Sequence, residues 1–501
     1  MDVVAGLAQG FGVALQPINL LWCFVGVLVG TIVGILPGLG PPATIAMLLP
    51  LTYAMPPASA IIMLAGIYYG AKYGGSTTAI LLNVPGESAS VVTCLDGYQM
   101  ARNGRAGAAL GLAAIASFIA GTIGVLGLML VAPPLAKLSL AFSSPEYFGL
   151  MALGLAMVAL LAGASMVKAL LALLVGLWIA GIGTDLFSAT SRFTFGRAEL
   201  LTGIDFTLVA IGVFAIGEVL AVVESPHATK RVPVPRGIRN LLPSTQDLKD
   251  SRFAFANGSL VGFVVGVLPG AGSTIAALLS YGIEKSVSKR PQAFGTGVPE
   301  GVVAPEGANN AETGGALVPL LTLGIPGSST TAILLAALIL WGLRPGPLLI
   351  DEQPALFWGL VASMYIGNVM LLVLNLPLVP LFAQLLRLPA YAMLPLILGV
   401  SLVGAATVST SIFAGMLLAI FGLLGWLMRR LEYPAAPLVL GLVLGDPMER
   451  ALRQSLMMSQ GDLAILVTRP ISATLLVLAA LILVLPLVRR LNALRLQAVE
   501  S

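Results

Sequence analysis

Charge is what this sequence has least of. Only 10% of its 501 residues are Asp, Glu, Lys or Arg, against about 25% in soluble domains, which excludes a water-soluble fold of this size. Histidine occurs once, at His227, and cysteine twice, at Cys23 and Cys94. One His and two separated Cys cannot supply a zinc or haem ligand set. No nucleophile–His–acid set can be drawn either, because the sole His sits in a basic linker. Both cysteines lie in or near apolar runs, so a disulfide framework is not supported. Residues 266–274, GVLPGAGST, have the look of a phosphate loop but no Lys before the Ser, and they end an apolar run. With no nucleotide site and no cofactor, any pumping must draw on an ion gradient. The first ten residues, MDVVAGLAQG, carry an Asp and no Lys or Arg. They lack the basic region of a cleaved signal peptide, so the first span is expected to be retained.

What the chain does have is apolar length. Hydrophobic residues make up 58%, and the mean hydropathy is +0.99. Runs at 108–132, 166–183, 206–223 and 473–488 reach or approach the ~20 residues that cross a bilayer. The 57 glycines and 33 prolines are too many for plain hydrophobic rods and predict close helix packing and interrupted helices. The net charge of +4 is spread among loops, so a nucleic-acid partner is not expected and the lipid bilayer is.

The chain is organised around a repeat. Residues 28–40, LVGTIVGILPGLG, and 260–272, LVGFVVGVLPGAG, lie 232 positions apart (260 minus 28) and agree at nine of thirteen positions. Each ends an apolar run in Pro-Gly-x-Gly. Pro37 and Pro269 lack an N–H, and the glycines after them permit positive φ. A broken backbone survives in lipid only where protein or a water-filled cavity covers it. A break that recurs in both halves is the sequence pointer to a transporter's substrate site. After each break comes a half-helix, ATIAMLL from Ala43 and STIAALL from Ser273. Then GGSTTAILLNVPG (74–86) finds a looser partner in GGALVPLLTLGIPG (314–327), with one residue inserted.

The remaining spans are expected near 20–36, 58–84, 108–132, 147–163, 166–183, 204–223, 328–342, 356–384, 391–407, 410–428 and 470–488, with 434–444 as a further one. A charged loop is expected at 96–105. This divides the chain into a first membrane half (1–224), a basic linker (225–254) and a second half (255–501). The positive-inside rule puts the linker in the cytoplasm through Lys230, Arg231, Arg236, Arg239, Lys249 and Arg252, and the C-terminus through Arg489, Arg490 and Arg495. Basic residues favour opposite loops in the two halves: 284–290 is EKSVSKR where 52–58 is uncharged. That predicts an all-α polytopic membrane protein of two inverted repeats with broken helices or re-entrant hairpins.

Polar residues cluster beside the breaks. In the first half they are Lys72, Ser76, Thr77, Thr78, Asn83, Glu87 and Ser88; in the second, Glu306, Asn309, Asn310, Glu312, Thr313, Ser328, Ser329, Thr330 and Thr331. Hydroxyl, amide and broken-helix carbonyl oxygens suit a hard cation such as Na⁺, and N–H groups at half-helix starts suit a carboxylate. A single Ser or Thr in a membrane helix more often bonds its own preceding turn; the recurrence in both halves favours a site. The residues expected to form it are Gly38, Gly40, Thr44, Ser76, Thr77, Thr78, Asn83, Pro85, Gly86, Gly270, Gly272, Ser273, Thr274, Asn309, Asn310, Pro326, Gly327, Ser328, Ser329 and Thr330. Alanine at the break glycines should clash or misplace the backbone. Lys72 reads equally as a counter-charge for substrate, a snorkelling side chain or the partner of an acid. Glu87 reads as a cation ligand, proton carrier or helix cap.

GILPGLGPPATIAMLLPLTY, YYGAKYGGSTTAILLNVPGESASVVTCLDGYQMARNGRAG, PEGVVAPEGANNAETGGALVPLLTLGIPG and LRPGPLLI closely resemble the large membrane subunit of the tripartite tricarboxylate transporters, the TctA type. The resemblance runs through both halves. It implies a bacterial inner-membrane importer of di- or tricarboxylates coupled to Na⁺ or H⁺. Its implied partners are a small TctB-like membrane subunit and a periplasmic TctC-like solute-binding protein. Glu312 departs from the pattern that the resemblance implies, a small apolar residue after Asn-Asn-Ala, and Lys72 stands at a position where the family varies. The alternatives that the residues alone leave open are a stand-alone carboxylate symporter and an uncoupled channel or scaffold.

Overall fold

The computed structural model describes residues 3–36, 40–161, 165–185, 187–224, 238–385, 395, 398–399, 401–403, 406 and 411–484. Pro37, Gly38, residues 225–237 of the linker with His227, most of the expected span at 391–407 and the basic C-terminal residues lie outside them. In chain order the first helices are α1 (Val3–Ala14), α2 (Pro17–Ile35), α3 (Pro41–Leu48), α4 (Pro57–Leu82), α5 (Val91–Met100) and α6 (Ala106–Ser139). Then come α7 (Ser144–Leu161), α8 (Met166–Ala180), α9 (Phe206–Ala210), α10 (Gly217–Glu224), α11 (Thr245–Asp250), α12 (Arg252–Val267) and α13 (Gly272–Val287). They are followed by α14 (Glu300–Leu323), α15 (Ser329–Leu340), α16 (Leu349–Glu352), α17 (Pro354–Leu385), α18 (Ile412–Arg430) and α19 (Ala435–Met458). Strand structure among the described residues is one two-residue ladder, Gly183–Thr184 against Ser191–Arg192. Four of the described helices are long and apolar enough to cross a membrane, so the protein is a multi-pass membrane protein.

Contacts divide the chain into two compact units, residues 1–136 with 207–430 and residues 137–206 with 431–501. The first unit holds both copies of the repeat. Helix α2 lies along α4 because Gly26, Gly30 and Gly34 present no side chain to it: a Cβ on Gly30 would stand 2.5 Å from the Ile67 carbonyl oxygen. Helix α12 meets α14 in the same way through Gly258, Gly262 and Gly266, each 232 positions beyond its counterpart (258 minus 26). Small residues at every fourth position let two backbones approach closely, the recurrent packing solution in lipid.

The packing also fixes the register of the second motif. Gly34 faces the Ala71 carbonyl and Gly266 that of Glu312, an offset of 241 (312 minus 71). The same offset relates Asn83 to Gly324, the left-handed ends of α4 and α14, with φ of 57° and 69°, and Pro85-Gly86 to Pro326-Gly327. Residues 74–86 therefore match 315–327 without the inserted residue that the paired glycines suggested. Where α4 and α14 touch, Tyr68 meets Glu312, Lys72 meets Asn309 and Ser76 meets Glu306. Numbers rise along one helix as they fall along the other, so these matched helices run in opposite directions. Each half-helix packs on the other copy: α3 on α15, and α13 on residues 88–100, with Ala277 against Ala89 and Val92.

Several expectations are corrected. Residues 96–105 are helical, not a loop, with a kink at Gly104 (φ +78°). Asp96 is buried there because its carboxylate accepts the backbone N–H groups of Gly295, Gly297 and Val298 and the Tyr281 hydroxyl. Helix α13 runs 16 residues, longer than a half-helix echo of α3. Helix α1 precedes the first expected span. Gly40 does not need to be glycine on conformational grounds: its φ is −77°, and a Cβ would meet only Pro42 Cδ at 3.5 Å. Gly270 and Gly272, at φ +84° and +67°, do need that freedom.

The second unit packs α8 on α19, with Gly441 facing the Leu173 carbonyl. Its loop after α8 is held by Asp185, which accepts from Phe187 N at 2.7 Å, Ser188 N at 3.0 Å and Arg453 Nη2 at 2.8 Å. The backbone donors of Ser188 and Phe187, then Arg453 and Arg192, lower its carboxyl to about 2. A folded-state value below the ordinary ~3.9 contributes stability that is complete above that value and lost as pH falls through 2. Amide protection at Phe187 and Ser188 should therefore persist at pH 5 and fall towards pH 2 in hydrogen-exchange mass spectrometry; Asp185→Ala should lack it throughout. Retained protection in that variant would assign the loop's order to other contacts.

Gly30→Ala and Gly262→Ala should each destabilise the purified protein by roughly 1–3 kcal/mol, the cost of overpacking a closed contact. Gly12→Ala, which meets nothing within 4 Å, should be neutral or slightly stabilising. Thermal unfolding in detergent compares the three.

Candidate functional site

Helices α4 and α14 form the centre of the first unit. Every residue from Ser59 to Leu82 and from Glu300 to Thr322 is buried. A helix enclosed on all sides is ordinarily hydrophobic all round; these two carry charge. Lys72 Nζ donates to Glu312 Oε2 at 2.6 Å and to the Asn309 carbonyl oxygen at 2.7 Å, and lies 4.8 Å from the centre of the Tyr68 ring. The Tyr68 hydroxyl adds a bond to Glu312 Oε2 at 3.2 Å and lies 3.5 Å from Ser328 Oγ. Of the readings open for Lys72, the structure shows the pairing with an acid: both charges are buried and bonded to each other.

Around this pair are two more buried carboxylates. Glu87 accepts from Asn309 Nδ2 at 2.7 Å. Glu306 takes the Ser76 hydroxyl on one oxygen and the Thr93 hydroxyl on the other. Asn310 Nδ2 donates to Ser117 Oγ at 2.7 Å and to the Glu306 carbonyl. Four buried oxygens within residues 309–313 of α14, Asn309 Oδ1, Asn310 Oδ1, Glu312 Oε1 and Thr313 Oγ1, have no hydrogen-bond partner among the described residues. Buried polar atoms are nearly always satisfied, so these mark where water or a hard cation has oxygen ligands to use. A cavity of about 10 Å³, lined by Tyr73, Ser76, Thr77, Ser117 and Asn375 among others, has room for about one water.

The expected site residues fall into three groups. Ser76, Thr77, Asn309 and Asn310 come together on α4 and α14. Asn83, Pro85, Gly86, Pro326, Gly327, Ser328, Ser329 and Thr330 form the two turns and the start of α15. Gly86 sits so close to Gly34, Gly75 and Thr78 that no Cβ fits. Ser328 caps α15 in a reciprocal pair with Thr331, and Glu87 caps the turn at residues 88–90 with Ser90. Gly40, Thr44, Gly270, Gly272, Ser273 and Thr274 form the helix breaks; Gly38 lies outside the described residues. Thr44 and Thr78 bond their own preceding turns, to Gly40 O and Gly75 O, and Gly270 N donates to Gly327 O at 2.9 Å, joining break to turn.

Sequence reasoning passed over Tyr68, Thr93, Ser117 and Asn375, whose roles depend on which helices meet. Glu306 was within reach: an acid in an enclosed membrane helix is by itself a functional signal.

The sequence profile of the family described as "Tripartite tricarboxylate transporter TctA family" matches residues 20–440. The chain belongs to the TctA family. It is the membrane transport component of a tripartite tricarboxylate transporter and not an enzyme. It is 48% identical over 476 residues to the "Uncharacterized 52.8 kDa protein in TAR-I ttuC' 3'region" of Agrobacterium vitis, covering 95% of this chain and 94% of the relative. A second Agrobacterium vitis protein, from the TAR-II ttuC' 3'region, is 43% identical over 226 residues, 45% of this chain and 93% of its own. No solved structure matches the chain.

In this TctA-family chain, removing either partner of the Lys72–Glu312 pair strands the other charge. Lys72→Met and Glu312→Leu should each cost about 3–5 kcal/mol, and the double variant Lys72→Met/Glu312→Leu clearly less than their sum. A double-mutant cycle on thermal unfolding checks this; additive losses would mean that the two side chains are not coupled.

Proposed function

We propose that the chain is the large transmembrane subunit of a binding-protein-dependent secondary transporter in a bacterial inner membrane. It imports di- or tricarboxylates by symport with H⁺ or Na⁺, with a small TctB-like membrane subunit and a periplasmic TctC-like solute-binding protein as partners. The observation that carries the reading is the pair of enclosed antiparallel helices, α4 and α14, each ending in a left-handed residue and a Pro-Gly turn, with charged and amide groups between them. Their opposed directions, and the contacts that α3 and α13 each make with the other copy as well as with their own, support two inverted repeats, residues 1–224 and 255–501 around a linker at 225–254. The bias of basic loops supports it too.

Substrate carboxylates need N–H donors. The start of α15 and the turn at 88–90 fill theirs with their own side chains, whereas α3 and α13 begin without a side-chain cap. This favours α3, from Gly40 and Thr44, and α13, from Gly272, Ser273 and Thr274, as the places where two carboxylates are held. Ser76, Thr77, Asn309 and Asn310 then serve the coupling ion.

Uptake of radiolabelled di- and tricarboxylates should be measured in proteoliposomes holding the chain with its small subunit, under an imposed H⁺ or Na⁺ gradient. Uptake should require both the binding protein and one gradient. Uptake without the binding protein would make the chain a stand-alone symporter, and flux indifferent to either gradient would make it a channel.

A further inference from the structure

The buried cluster is short of positive charge. Glu87, Glu306 and Glu312 are all at most 6% exposed, and Lys72 is the basic group among them. Lys72 is committed to Glu312 and to the Asn309 carbonyl, and no other ion pair reaches Glu87 or Glu306 among the described residues. A carboxylate buried without a counter-charge takes up a proton rather than remain ionised.

Hydrogen counting singles out Glu306. Ser76 Oγ lies within bonding distance of two acceptors, the Lys72 carbonyl oxygen at 3.1 Å and Glu306 Oε2. A hydroxyl has one hydrogen to give. If Glu306 were a carboxylate, one of these contacts would hold two oxygens with no proton between them. With Glu306 as the acid, its O–H donates to Ser76 Oγ, Ser76 donates to the Lys72 carbonyl, and Thr93 donates to Glu306 Oε1. Every contact is then filled. Ser76 also lines the one-water cavity, together with Asn375, which is 4% exposed and whose Oδ1 has no partner among the described residues. The residue that touches the acid thus borders a space with room for about one water.

We propose that Glu306 is the proton site of the coupled cycle, protonated in this conformation and exchanging its proton with water in the adjoining cavity through Ser76. This rests on the reading of the chain as an ion-coupled carboxylate importer and names its ion as H⁺. On release, the O–H bond of the acid breaks and an O–H bond forms on the cavity water, by way of the Ser76 hydroxyl; nothing is oxidised or reduced. The titratable groups near Glu306 are Lys72 and Tyr73 from α4, Glu87, and Cys94 at the start of α5; Glu312, six residues along its own helix, pairs with Lys72.

Two measurements separate this site from the transport reading. The first is infrared spectroscopy of the purified chain at neutral pH. A carboxylic-acid carbonyl band should be present, losing the contribution of one acid in Glu306→Gln, and shifted in part in Ser76→Ala, which removes the acid's acceptor and tests the same bond should the Gln variant not fold. A wild-type spectrum in which neither substitution alters such a band overturns the proposal, whatever the transport result. The second is uptake in the full complex. Glu306→Gln should lower H⁺-driven uptake by roughly tenfold or more, because the coupled step needs the titrating group, while substrate-for-substrate exchange falls much less. Uptake that follows a Na⁺ gradient and ignores a H⁺ gradient overturns the proposal and leaves the importer standing. An acid band assigned to Glu306 in a chain that moves no carboxylate keeps the proton site and removes the importer.

Discussion

A polar backbone cannot be left open inside a membrane, and the first unit is arranged around meeting that demand at its breaks. Helix α2 ends with Leu36 N bonded to Val33 O, and α12 ends in the same way 232 positions later, with Leu268 N on Val265 O. Gly270 then hands its N–H to Gly327, the turn that ends the following long helix. The turns are closed by reciprocal caps, Glu87 with Ser90 and Ser328 with Thr331. Such irregular backbone is tolerated at membrane depth only when protein encloses it. The glycine stripes of α2 and α12 supply that enclosure by letting each lie directly on α4 or α14.

On this near-symmetric frame the side chains are not symmetric. At the offset of 241, Tyr68 corresponds to Asn309 and Glu87 to Ser328. The contacts Tyr68–Ser328 and Asn309–Glu87 are accordingly one contact made twice. The charges break the pattern: Glu312 corresponds to Ala71, Glu306 to Ala65, and Lys72 to Thr313. Backbone geometry is common to both copies; the chemistry is concentrated where they differ. A duplicated scaffold can hold its shape while one copy of each position acquires an ionisable group.

The breaks, their spacing and most spans were legible because Pro-Gly and apolar length are local signals. The register of the second motif was not. The paired glycines at 74–75 and 314–315 invited an insertion, whereas the αL ends at Asn83 and Gly324 and the contacts of Gly34 and Gly266 fix a constant offset. Helix α14 hid behind Pro305, Pro319 and a polar run, features that argue against a helix until tertiary enclosure overrides them. Asp96 read as part of a charged loop because its donors, Gly295 to Val298, lie about 200 positions away in the chain. Ser76 was legible as polar but not as the neighbour of Glu306, since the meeting of α4 and α14 leaves no mark in either segment.

The imbalance of charge bears on how an anion could be admitted at all. Three glutamate side chains and one lysine already occupy the enclosed region, where Coulomb terms are screened far less than in water. A di- or tricarboxylate brought nearby raises the cost of every ionised acid it faces and so favours the protonated form. By linkage the converse holds with equal magnitude: a proton on one of those acids favours the anion. Coupling of that kind needs no direct contact between substrate and proton. It needs only that both enter the same poorly screened space, and that the space be short of positive charge before either arrives.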